Sequence, residues 1–446
     1  VFKKIHIQHY RANFQLAYPV VIAQMGHMIG GLADTIMVGH ISSTQLAASA
    51  LANSVYIVPM LFGLGILIAI TPLISKAFGE KDVEQMKTIS LHGVICGFII
   101  GHVLGVAMFA TSGVLNHLNQ PAEVVKYAVP FYKLFALSMI PYMLFLALKQ
   151  IAEGLQNTKA GMIVLVTANL INIGLNYLLI YGKMGFPRLE LIGAGYATLI
   201  SRTIMPFMMF AILYMNKDAR QILSLRIFSR FKISSMLHIL RIGIPIGFQY
   251  IFEITSFSLG AIFVGWNGST QLAAHQIAIN IASMTYLMAS GIASAATIRV
   301  SKFLGEKDYV NIKLVAHTSI LMAVAYMSLM SVCIVFGRFL IPSFFVNEKD
   351  VLQIAASLFI IMAIFQIFDG SQVVLLGILR GLHDIKFPTY IVLVAYWIIE
   401  IPFAYLLGVH LRLGAKGVWF AYLIGLSTAA SLLFWRYRFI SRRMTK

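Results

Sequence analysis

The chain has 446 residues, of which 59% are hydrophobic and only 11% charged, with a formal net charge of +18. An ordinary soluble domain carries about 45–50% apolar and about 25% charged residues, so a water-facing surface cannot be built from this composition and much of the exterior must face lipid. No GxSxG, HExxH or Walker A pattern is present, and the two cysteines, Cys96 and Cys333, form no CxxC pair, which argues against an enzyme, an ATPase and a disulfide or metal framework.

In chain order, apolar runs near 14–38, 47–72, 90–112, 127–148, 161–181 and 192–214 predict six membrane-spanning helices. A second set near 239–265, 272–297, 315–342, 352–378, 388–409 and 415–436 predicts six more. Each is close to the roughly 20 apolar residues that a span needs, and lipid forces such segments to satisfy their backbone internally as helices. The expected fold class is therefore an all-α membrane protein with 12 transmembrane helices. The first run is too long, and followed by too many others, for a cleaved leader.

The basic residues cluster in the N-terminal tail, in a loop from Lys217 to Arg241, and in the tail from Arg436 to Lys446. With both termini on the cytoplasmic side of the inner membrane, about 25 of the 34 basic residues are cytoplasmic and about 8 are outside. Arg202 falls within the sixth run. This is the ordinary topology signal of a multi-pass protein and calls for no nucleic-acid partner.

The chain repeats itself at a spacing of 226 residues. Pro19 matches Pro245, Ser43 to Ala48 match Ser269 to Ala274, Ser75 and Lys76 match Ser301 and Lys302, and Gly79 to Asp82 match Gly305 to Asp308. One constant offset through separated blocks marks a duplication. An even number of helices per half makes the repeat parallel, an arrangement found in secondary transporters, whose sites lie near the midplane at the repeat interface. The expected organisation is residues 1–215 as an N-lobe with helices 1–6, residues 216–238 as a basic cytoplasmic linker, and residues 239–446 as a C-lobe with helices 7–12. Pro19 and Pro245 fall early in the first helix of each half, where each is either a tolerated kink or a point of bending.

Ionisable groups within spans cost about 2.5–3.5 kcal/mol on insertion scales and are functional candidates. The carboxylates so placed are Asp34, Glu253, Asp369 and Glu400. In the repeat, Asp34 aligns with Gly260, Glu253 with His27 and, after the offset drifts to 227, Asp369 with Tyr142. The scaffold is duplicated and the acids are not, which favours a chemical task over a structural one. The alternative is that one half buries its acids in private salt bridges, with Arg202 as an available partner. Two carboxylates in a dry cavity cannot both stay ionised without a counter-cation. Competition among H⁺, Na⁺ and a cationic substrate for the same acids is the negative coupling that antiport requires. Asn172, Asn176 and Thr198 offer oxygen ligands, and the two amides share one helix face at i, i+4. Each amide alone also suits interhelical bonding. Gln24 lies near Asp34 on the first helix, and His275 and Gln276 suit a cap or a bond across helices.

These residues resemble those of a known family. Pro19, the run from Ala33 to His40, Gln45 to Ala48, Phe368 to Val374, Leu379 to Gly381, and Asn172 to Asn176 leading to Tyr181 and Gly182 are similar to the multidrug and toxic compound extrusion (MATE) transporters, most of all their NorM-type bacterial branch. The resemblance covers nearly the whole chain. It implies a V-shaped, two-lobed multidrug efflux antiporter that exports cationic or amphipathic small molecules in exchange for Na⁺ or H⁺. The expected partners are those small molecules and membrane lipids, with no cofactor beyond the coupling ion, and the chain is expected to be monomeric. The resemblance places cation binding, including a Na⁺ site, at Glu253 and Asp369. The first-lobe acid is Asp34, with Asn172, Asn176 and Thr198 nearby for proton, ion or substrate contact; Gln24, His27, Phe365 and Glu400 are further supporting or substrate-contacting candidates. Two positions depart from the pattern: Phe365 stands where the branch often carries Tyr, which removes one hydroxyl ligand, and Glu400 stands where relatives often carry Gly, where it either pairs with a basic group or adds a fourth titrating site. A lipid-linked precursor flippase of the same superfamily is the competing expectation; it calls for a strongly basic cavity, whereas the candidate groups here are mostly acidic.

Overall fold

The computed structural model describes residues 2–222 and 232–444. It contains 12 helices long and apolar enough to cross a membrane, from Ile7–Gly39 to Gly414–Arg443. The protein is an all-helical, multi-pass membrane protein, as composition requires. Several helices outrun the apolar core. The second span, Ser43–Gly79, has 37 residues, about 55 Å at 1.5 Å per residue. The apolar run near 315–342 is divided, its helix ending at Phe336 and a short turn following at Leu340–Ser343.

The repeat builds the same local contacts twice. Thr71 Oγ1 donates to the Gln150 carbonyl and Thr297 Oγ1 to that of Gly377; Ser75 and Ser301 each donate, at 2.9 Å, to the carbonyls of Gly154 and Gly381. Asp82 and Asp308 cap the helices that follow by accepting the amides of Gln85 and Asn311. Lys81 and Lys307, just before those caps, both have positive φ, at 57° and 58°. Gln45 accepts the amide of Leu191, and Gln271 that of Ala415.

Packing divides the chain into two units, one of Val1–Val21 with Phe248–Lys446 and the other of Ile22–Gly247. The expected linker at 216–238 lies in part outside the described residues, and the divisions fall elsewhere, two residues beyond Pro19 and two beyond Pro245. These prolines interrupt the hydrogen-bond ladders of helices Phe2–Gly39 and Ile233–Gly265. Each unit thus packs the opening segment of one repeat's first helix with the body of the other repeat. The contact that holds each segment is itself repeated. In one unit Gly65 lies against Gly247, and a β-carbon there would stand 2.5 Å from the Gly247 Cα; in the other, Gly291 lies against Val21 and Ala17, and its β-carbon would meet the Val21 side chain at 2.5 Å. Gly65 and Gly291 are 226 residues apart, as are Val21 and Gly247. Only glycine permits helices this close. Gly65→Val and Gly291→Val are each expected to destabilise the protein by about 1–3 kcal/mol through overpacking, seen as a lower melting temperature in detergent.

Candidate functional site

In the unit of residues 22–247, helix packing builds a polar site around Asp34. Gly26 and Gly30, at i and i+4 on the first span, let it approach the fifth span (Thr158–Tyr181) at Asn169; a β-carbon on Gly30 would lie 3.1 Å from the Asn169 amide oxygen. One turn on, the same stripes bring Asp34 to Asn172 and Asn176. Asn176 Nδ2 donates to Asp34 Oδ1 at 2.5 Å. Asn172, with its amide oriented to satisfy its neighbours, donates to the same oxygen at 2.9 Å and accepts the Thr198 amide at 3.2 Å. Ser201, which sequence reasoning did not select, faces Asn172 one turn beyond Thr198. Its spacing of i+3 from Thr198 was the available signal. Four of the expected residues, Asp34, Asn172, Asn176 and Thr198, therefore share one site. Gln24 is half-buried and His27 exposed on the first span.

Arg202 is not the ion-pair partner of a buried acid. Its Nη1 donates to Tyr56 Oη at 2.7 Å and Ser138 Oγ at 2.9 Å, and its guanidinium lies 4.6 Å from the Tyr142 ring centroid. It stands within electrostatic range of Asp34 and His27. A delocalised, weakly hydrated cation is well held by aromatic faces. Tyr142 is the repeat counterpart of Asp369. The first repeat thus stations an aromatic ring and a cation where the second has an acid.

In the other unit, Glu253 on the seventh span (Ile233–Gly265), Asp369 on the tenth (Lys349–Gly381) and Glu400 on the eleventh (Lys386–His410) are close enough to repel one another. Asp369 and Glu400 are buried and Glu253 is half-buried. Among the described residues, none of the three has a Lys or Arg within ion-pair distance. The three do not converge as ligands on one point, so a Na⁺ held by Glu253 and Asp369 would need neutral oxygens to complete its shell. Asp34 has no counterpart here for a steric reason: a side chain at Gly260 would collide with the Tyr422 hydroxyl.

Phe365 is 2% exposed and packs edge-on to Trp419 and Phe257, with centroids at 5.4 and 6.4 Å. The position that lacks the hydroxyl thus serves an aromatic core. His275 bonds across helices, its Nδ1 accepting from Trp419 Nε1 at 3.1 Å. Two cations received no role in the sequence reading. Arg380 donates to Gln249 Oε1 at 2.8 Å and attracts Glu253. Arg299 is buried inside helix Ser269–Gly305, bound to His9 and Asn13. Its repeat counterpart is Leu73, and that mismatch was the signal.

A family model described as MatE matches residues 19–178 and 245–406, the two repeats. The multidrug resistance protein NorM of Vibrio vulnificus (strain YJ016) is 30% identical, the alignment covering 96% of this chain and 95% of that protein. A probable multidrug resistance protein NorM of Rhodopseudomonas palustris is 32% identical, over 96% of this chain and 91% of its own length. The fold is also that of a crystallised Vibrio cholerae MATE transporter in its bent form, with a TM-score of 0.88 and 17% identity over 98% of each chain.

Proposed function

This chain belongs to the MatE family of membrane transporters, and from that premise we propose that it exports cationic or amphipathic compounds by antiport against Na⁺ or H⁺. The observation that carries this reading is the pair Glu253 and Asp369, two mutually repelling acids within the membrane domain with no basic side chain at ion-pair distance among the described residues. Such a pair is stable only with a proton or a cation on it. Entry of a coupling ion and of a cationic substrate are then mutually exclusive, and each drives release of the other. A membrane potential of 100 mV adds about 2.3 kcal/mol per elementary charge moved.

The Asp34 cluster is the second part of the proposal. Two amides donating to one carboxylate oxygen hold that acid in a fixed position, where it and Thr198 and Ser201 contact substrate or a coupling proton. Gln24 and His27 line the same helix. The protein is placed in the cytoplasmic membrane with both termini inside, on the charge asymmetry of its loops, and is read as monomeric.

Purified protein in liposomes tests this. Export of a cationic dye is expected under a Na⁺ gradient at equal pH, or under a pH gradient without Na⁺, and whichever supports it names the ion. No export under either, with rescue of a cell-envelope defect instead, would replace this reading with a lipid-linked precursor flippase.

A further inference from the structure

Glu400 is a carboxylic acid in surroundings that do not hold a carboxylate. It is 0% exposed. Its Oε1 accepts the Ser256 hydroxyl at 2.5 Å, while Oε2 is buried with no hydrogen-bonding partner. The titratable groups facing it are Glu253 on the seventh span, Asp369 on the tenth, Tyr422 on the twelfth and Tyr396 on its own helix. His275 packs behind Tyr422. The nearby acids repel a negative charge, and no basic side chain among the described residues is within ion-pair distance. A buried charge needs a partner for each of its lone-pair directions, and this one has a single hydroxyl.

The backbone is arranged for this side chain. Residues Val394–Glu400 form a π-helical turn, ahead of Pro402, which brings no amide to the ladder. On the facing helix Gly425 leaves the space that the carboxyl fills; a methyl there would stand 2.5 Å from Oε2 and 2.7 Å from the Glu400 Cβ. The acid and the glycine form one fitted pair.

We propose that Glu400 is a proton-binding site distinct from the Glu253 and Asp369 pair, carrying its proton on Oε2 in the buried state and releasing it to water when the site opens during exchange. This deepens the antiport reading and rests on it for the release step: the transporter moves one more proton per cycle than the Glu253 and Asp369 pair alone provides.

Infrared spectroscopy of the purified protein at neutral pH separates the two claims. Glu400→Gln is expected to remove intensity from the protonated-carboxyl carbonyl band, and that contribution should persist in the Glu253→Gln/Asp369→Asn double variant. Gly425→Ala, which keeps the acid but crowds Oε2, is expected to shift the same band, and serves if Glu400→Gln does not fold. Loss from the ionised-carboxylate bands instead, or an unshifted band in Gly425→Ala, would overturn the site. In liposomes the protons exchanged per substrate should fall by one in Glu400→Gln, and an unchanged number would overturn the release step. Failure of the wild type to export any cation would sink the antiport reading while leaving the infrared result intact.

Discussion

Glu253→Gln and Asp369→Asn are each expected to reduce dye efflux to the level of liposomes without protein, with expression and chromatographic behaviour unchanged. Both substitutions are nearly isosteric, so packing is preserved and the volume-dependent penalties of core substitution do not arise. Neither acid has an ion pair among the described residues that the change would break. Removing either acid relieves the repulsion between the two, and no ion pair is lost, so the melting temperature in detergent should hold or rise. The loss falls on coupling: a neutral amide neither binds a proton nor attracts a cation, so substrate no longer displaces an ion held between the two positions. Wild-type efflux from both variants would overturn the assignment of these two residues. A collapse of expression in both would mean that they serve the fold.

Arg299→Ala is expected to produce the largest loss of stability, about 3 kcal/mol, without touching the acids. The guanidinium donates to the His9 carbonyl at 3.0 Å and to Asn13 Oδ1, meets His9 Nδ1 at 2.7 Å, and lies 5.8 Å from the Phe303 ring centroid. Asn13, 0% exposed, passes the network on to Ser319 Oγ at 2.9 Å. Truncation strands the buried Asn13 Oδ1, at about 1–3 kcal/mol for an acceptor left unsatisfied, and removes the packing of the guanidinium on Phe303. Because the network joins the opening segment of the first helix to the body of its own unit, the loss should appear as early release of that segment. Limited proteolysis near the N-terminus and thermal unfolding in detergent would both report it. Arg299→Leu copies Leu73 of the first repeat and restores apolar volume, yet is expected to remain destabilised because Asn13 Oδ1 loses its donor. In the double variant with Asn13→Ala the two losses should add to less than their sum, since the residues share one network. Full additivity would show that Arg299 acts through packing alone.

The sequence by itself determined the twelve helices, the duplication and the identity of the four acids. These are properties of composition and spacing: lipid admits few polar residues, so any that remain stand out, and a fixed offset survives in the text of the chain. The Asp34 cluster was legible in part, because Asn172 and Asn176 share a face by helical periodicity alone. Which residue each group meets was decided only by tertiary structure. Arg202 was available in the sequence as a partner for an acid, and packing instead set it against Tyr56, Ser138 and Tyr142. Arg299 lies just past the apolar run near 272–297, whereas its helix continues to Gly305. The expected lobes divided at a linker between helices, whereas the packed units divide inside the first and seventh helices, just past the repeated prolines. Periodicity describes one helix at a time. It carries no information on which helix a glycine such as Gly65 or Gly425 admits, and close approach between helices is what placed the Glu400 carboxyl in its buried niche.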